Sequence, residues 1–168
     1  LANRNGRAVR FNEDQVRTTG RVSTGVIGMR LDEGDDELVG MVCVNDPQTE
    51  SIMVVSENGY GKRSDVEDYR KTSRGAKGVK TLAVTEKTGR LVAIKVVTDE
   101  NDLMIINKSG ILIRLKVADV RIMGRATQGV RLINLTKKND TIASVCKVDS
   151  NADEDIETEE VDVNDDEA

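Results

Sequence analysis

The chain has 168 residues, 38% hydrophobic and 33% charged, enough for one ordinary globular domain with a tail. It holds no histidine, which excludes Ser-His-Asp and Cys-His catalysis and any histidine-bearing zinc site. The net charge of −5 conceals a split: residues 149–168 carry eleven acidic and no basic residues, leaving 25 basic and 19 acidic residues in 1–148. A body of net +6 with a polyanionic tail points to a polyanion as partner of the body. No apolar run approaches the roughly 18 residues of a membrane span, and the polar, arginine-bearing start does not read as a signal peptide.

The elements repeat. Residues 6–44, 59–97 and 110–148 align without a gap, and seven positions are identical in all three copies. These are Gly6/Gly59/Gly110, Arg10/Arg63/Arg114, Arg17/Arg70/Arg121, Arg21/Arg74/Arg125, Gly25/Gly78/Gly129, Val26/Val79/Val130 and Val44/Val97/Val148. Each copy opens on an apolar run (52–55 or 103–106) that ends in Asn58-Gly59 or Ser109-Gly110, a hairpin turn in which glycine accepts positive φ. A second strand follows, as at 111–115, and then a polar connection in which 64–69 is the best helical candidate, at most one turn. A third strand starts at the Gly-Val pair, as at 129–135. A polar turn such as 32–37 then leads to a fourth strand at 38–44.

Four short strands per unit of about 50 residues predict an all-β, propeller-like fold of three blades, at about 1–50, 51–101 and 102–148. Residues 149–168 read as a disordered acidic tail. Leu1 aligns with Val54 and Ile105 in mid-strand, so a fragment of a larger protein is expected. Three blades do not readily close a ring, so an exposed edge or an oligomer is expected as well. Aromatics are only 2%, and Tyr69, aligned with Val16 and Val120, reads as a core residue. Cys43 and Cys146 lie in apolar runs and belong to no CxxC, so buried free thiols in a reducing compartment are expected.

Nine of the fourteen arginines occupy the three repeated positions, in the spacing Gly-x3-Arg and then Arg-x3-Arg-x3-Gly-Val. A planar guanidinium holds two phosphate oxygens at once and stays charged, so stacked copies would present a periodic phosphate track. The candidates are Arg10, Arg17, Arg21, Lys62, Arg63, Arg70, Lys71, Arg74, Lys77, Arg114, Arg121 and Arg125. The other use of a repeated arginine is a tie between blades, to a repeated acid such as Asp14, Glu67, Asp68 or Asp119. The run Arg74-Gly75-Ala76-Lys77-Gly78 suits a phosphate-contacting loop because small residues let the backbone approach. With no recognition helix and no aromatic platform, contact with the duplex backbone is expected rather than base readout. No residue set reads as catalytic or metal-binding, and no cofactor is expected.

The strings "NGYGKR…DYRKTSRGAKGV" and "GRLVAIKVV", with their counterparts in the other two copies, resemble the C-terminal domain of the DNA gyrase A subunit, in the type IIA topoisomerase family. The resemblance covers residues 1–148 and implies half of a six-bladed β-pinwheel, in which neighbouring blades exchange strands and duplex DNA wraps the basic rim. It also implies a parent enzyme that introduces negative supercoils using ATP. The parent's partners would be double-stranded DNA, a second A subunit and a gyrase B subunit, in the bacterial cytoplasm at the nucleoid and away from membranes. The cleaving tyrosine and the ATP site belong to other parts of that enzyme. The family's Gln-Arg-Arg-Gly-Gly-Lys-Gly box is absent, and it belongs to a first blade upstream of Leu1. Its absence leaves the topoisomerase IV A subunit open, and a propeller-like protein-interaction scaffold is the reading from another class.

Overall fold

The computed structural model describes residues 1–135 and 140–150; most of the expected acidic tail, 151–168, lies outside the described residues. In chain order the strands are β1 (Ala2–Asn3), β2 (Arg7–Ala8), β3 (Leu38–Gly40), β4 (Ser51–Ser56) and β5 (Tyr60–Asp65). They continue as β6 (Val79–Lys80), β7 (Leu91–Val97), β8 (Asn101–Asn107), β9 (Leu112–Lys116), β10 (Val130–Arg131) and β11 (Ile142–Asp149). Three antiparallel sheets form, ordered β3-β1-β2-β6, β10-β5-β4-β7 and β11-β8-β9.

The third strand of a copy does not stay in its own sheet. β6, from the second copy, pairs with β2 of the first (Ala8 opposite Val79), and β10, from the third, pairs with β5 of the second (Gly61 opposite Val130). The repeated Gly-Val pair makes the exchange possible. Gly78 and Gly129 turn at φ 77° and 79°, and a Cβ at either would lie 2.4 Å from a carbonyl oxygen of the receiving copy, Ala8 or Gly61. Only glycine supplies both that conformation and that clearance.

Burial explains the apolar runs. Every residue of β4 is buried because its sheet is covered on both faces. Ile52 and Val54 point into a core shared with the first copy, with Ala2, Ala8, Val66, Tyr69 and Leu82. Met53 and Val55 point into a second core with Leu103, Ile105, Val117 and Val145 of the third copy. Each such side chain contributes about 1.5–3 kcal/mol on burial, so the two inter-copy cores dominate the cohesion of the array. Tyr69 is buried as expected, its hydroxyl 2.5 Å from Thr81 Oγ1.

The expected single turn at 64–69 is a 3-10 turn at Val66–Asp68, with counterparts at Glu13–Gln15 and Val117–Asp119. The fourth strand of the first copy is shorter than expected, because its ladder partner β1 offers only Ala2 and Asn3 opposite Gly40 and Leu38. The cysteines correct the sequence reading: both are free, but both are exposed. Along β11 it is Ile142 and Val145 that enter the core, which leaves Cys146 on the uncovered side.

Candidate nucleic-acid interface

The repeated arginines divide into columns with different surroundings. In the first column, Arg10 donates through Nη1 to the Val66 and Tyr69 carbonyls at 2.9 and 3.0 Å and pairs through Nη2 with Glu67 at 3.2 Å. It therefore clasps the 3-10 turn of the next copy. Arg63 is buried and pairs with Asp99, while its backbone bridges to Ile122 just as that of Arg10 bridges to Lys71. Arg114 donates to Asp102 at 2.7 Å and to the Ser150 carbonyl at 3.3 Å. Asp102 is held below the ordinary carboxylate range by hydrogen bonds from Ser150 and then Arg114.

The column before the Gly-Val pair faces backwards. Arg74 donates to the Gln15 carbonyl at 3.2 Å and the Ile27 carbonyl at 2.5 Å, and Arg125 to the equivalent Asp68 and Lys80 carbonyls at 3.0 and 2.8 Å. Two neutral acceptors per guanidinium tie each copy to the one before it. Arg21, the first of this column, is exposed.

The middle column differs from both. Arg17, Arg70 and Arg121 follow the three 3-10 turns, are all exposed, and make no side-chain hydrogen bond or ion pair among the described residues. Lys71 is exposed beside Arg70, and Lys77 is exposed but pairs with Asp32 at 2.7 Å, which lowers the Asp32 carboxyl below its ordinary range. Exposed acids stand among these cations, Glu13, Asp14, Asp68 and Asp119 on the same turns. Lys80 and Arg131 are also exposed, at equivalent places on the exchanged strands. Sequence reasoning missed them because the third member of their column is Ile27.

Lys62 does not lie on this surface. Its side chain is fully buried, and its ammonium donates to the Gly124 carbonyl at 2.7 Å, to Thr127 Oγ1 at 3.2 Å and to the Arg125 carbonyl. Burial, and then the nearby Arg125 charge, push its pKa down to about 8, with Asp68 opposing. It is a cross-tie between the second and third copies, which the charge pattern alone does not distinguish from a surface lysine. Among the described residues no three His, Cys, Asp or Glu side chains are grouped to hold a metal ion, and no helix is long and apolar enough to cross a membrane.

The sequence matches the model of the DNA gyrase C-terminal domain, beta-propeller, over residues 1–45, 50–98 and 101–147, one segment per copy. The chain belongs to this family. Its gyrase relatives include the DNA gyrase A subunit of Staphylococcus aureus strain MRSA252, 48% identical over 158 residues, covering 94% of this chain and 18% of that protein. The same protein of strain NCTC 8325 / PS 47 is 46% identical over 152 residues, again covering less than a fifth (17%) of its length. The chain thus spans a small part of its curated relatives. A solved DNA gyrase A C-terminal domain matches with a TM-score of 0.77 at 32% identity, covering 86% of this chain and 48% of that one. The solved C-terminal domain of DNA topoisomerase IV matches with a TM-score of 0.82 at 28% identity, covering 90% and 46%. The three sheets, two of which receive a strand from the following copy, are therefore β-pinwheel blades of the gyrase A type, with topoisomerase IV a structural neighbour.

Proposed function

We propose that this surface binds and wraps duplex DNA within the A protein of a gyrase, supporting ATP-dependent negative supercoiling in the bacterial cytoplasm. In that enzyme, catalysis would lie outside this chain, and its partners would be a second A subunit and the gyrase B subunit. The observation that carries the reading is the middle column. Arg17, Arg70 and Arg121 recur at one place on three successive blades and are exposed, with no partner among the described residues. Lys71 and Lys80 add charge nearby, whereas Lys62, Arg74, Arg125 and Arg131 are committed to ties between blades, Arg131 through Nη2 to the Tyr60 hydroxyl at 2.9 Å. A track of cations with no base-reading element holds the phosphate backbone and favours DNA that bends along it.

Topoisomerase IV is supported as the parent by the likeness to that enzyme's domain, but the 48% identity to gyrase A favours gyrase. The scaffold reading is favoured only by the arginines that tie blades together. Titrating duplex DNA against salt separates wrapping from scaffolding. A wrapping surface loses affinity steeply, by about 0.9 log units per released counterion for each log unit of salt. Removing Arg17, Arg70 and Arg121 together should flatten that slope by up to about three contacts' worth. A scaffold would show weak binding whose slope the triple substitution leaves unchanged.

A further inference from the structure

The two joints between copies share one set of contacts and differ in the anchor added to it. At each, the backbone after the 3-10 turn bridges to the preceding copy, Lys71 to Arg10 and Ile122 to Arg63. Thr72 N donates to the Arg10 carbonyl at 2.8 Å, and Met123 N to the Arg63 carbonyl at 2.9 Å. The Ala76 and Thr127 carbonyls accept from Arg30 N at 3.0 Å and Ala83 N at 3.1 Å. Arg74 and Arg125 add their two carbonyl bonds apiece.

Beyond that set the joints diverge. At the first, Gly75 N donates to the Gly28 carbonyl at 2.8 Å, and Gln15 Oε1 accepts from Arg74 N at 2.7 Å. Neither bond recurs at the second joint among the described residues, where Asp68 replaces Gln15. There the hold comes from Lys62, at the place where the first copy has Val9. Its buried ammonium spends all three donors on this one segment: the Gly124 and Arg125 carbonyls and Thr127 Oγ1. Thr127 Oγ1 in turn donates to the Gly124 carbonyl at 2.9 Å, which closes the turn around the ammonium. A buried charge is costly unless its donors are met, so the turn is held where these acceptors converge.

The segment so fixed follows directly on Arg121, which is exposed and makes no side-chain bond among the described residues. Val120 before it is buried and Ile122 after it is bridged. The main chain at Arg121 is thus held by the core on one side and by the Lys62 anchor on the other. We infer that Lys62 is a positioning residue for phosphate, setting the loop from which Arg121 meets the DNA; this rests on the wrapping function proposed above. Lys62 never touches the ligand. It acts by preorganisation, since an arginine on a preset main chain has less freedom to lose when a phosphate takes it.

The test has two arms, both on the full 168-residue chain. The first needs no DNA. In a Cys43→Ser, Cys146→Ser background, a nitroxide on Arg121→Cys should give a broadened spectrum that narrows when Lys62→Met is added. A nitroxide on Arg70→Cys should not respond, because Gln15 and Gly28 anchor that loop. Thr127→Val, at an exposed residue, removes one acceptor without touching the core and should narrow the Arg121→Cys spectrum in the same direction, which decides the matter if Lys62→Met does not fold. An unchanged spectrum at 121, or equal narrowing at both sites, overturns the positioning role. The second arm titrates duplex DNA against salt. Lys62→Met and Arg121→Ala should each reduce the salt slope by about one unit, and the double variant by no more than either. Additive losses overturn the proposal, because Lys62 then acts otherwise than through Arg121. An Arg121→Ala chain that binds like the parent overturns the phosphate role of Arg121, while the spectra still decide whether Lys62 sets the loop.

Discussion

A guanidinium that donates to two main-chain carbonyls across a blade boundary serves the fold, whereas one that stands free on a turn, as Arg70 does, is available to the phosphate proposed for it. Arg125→Ala should therefore lower stability by about 1–3 kcal/mol, since hydrogen bonds to charged donors are of that order. Arg70→Ala should stay within about 0.5 kcal/mol of the parent, as exposed sites usually do, while weakening DNA binding. Thermal melting set beside a DNA titration checks both. Lys62 gives a pH prediction. Its folded pKa of about 8 lies below the ordinary 10.5, so between those values the unfolded chain holds a proton that the folded chain has released. Stability from this group therefore rises with pH across that window and is level below it. In denaturant unfolding, the parent should gain stability relative to Lys62→Met between about pH 8 and 10.5, and no relative gain would contradict the buried ammonium. The spacing of the arginines is legible in the sequence, but their division is not. Arg70 and Arg74 are four residues apart and alike in charge, and only the Gln15 and Ile27 carbonyls beside Arg74 separate them.

The exchanged strands are two residues long, so each depends on the glycine that aims it. Gly129→Ala adds a Cβ at φ 79° and 2.4 Å from the Gly61 carbonyl oxygen, and should cost more than about 2 kcal/mol. Gly124→Ala, with a non-left-handed backbone and nothing within 4 Å, is the control and should be neutral or slightly stabilising. Chemical denaturation of the two variants checks the pair. The first two strands of a copy and the 3-10 turn are legible because alternation, turn residues and triplicate agreement point to the same boundaries, whereas the third strand, expected over 129–135, is only Val130–Arg131. The destination of the third strand is legible only through family resemblance. A Val-Lys or Val-Arg pair carries no local information about which sheet edge will receive it. The exposure of Cys146 escapes the sequence for a related reason: an apolar run shows that a strand exists, whereas which face is covered depends on the neighbouring blade.

Across the whole molecule the charge split bears on regulation. Residues 151–168 hold ten acidic residues joined directly to a basic body, so if that body binds phosphate as proposed, they should compete with it at the effective concentration of a short tether. The cut belongs after Ser150 rather than at 148. Asp149 accepts from Asn101 at 2.9 Å, and the Ser150 hydroxyl donates to Asp102 at 2.7 Å, so both belong to the third sheet. Removing 151–168 should tighten duplex binding severalfold at low salt and little at high salt, read from the same titration; equal affinity at low salt would end the idea. Composition and repeat spacing alone establish the triplication, the all-β class, the basic body and the absence of histidine chemistry, because each copy states the same pattern again. Which cations are free, which sheet takes each third strand and where Lys62 lies emerge only in the folded chain. These depend on carbonyls and sheet edges contributed by another copy, some fifty residues away in the chain, and no local pattern encodes that contact.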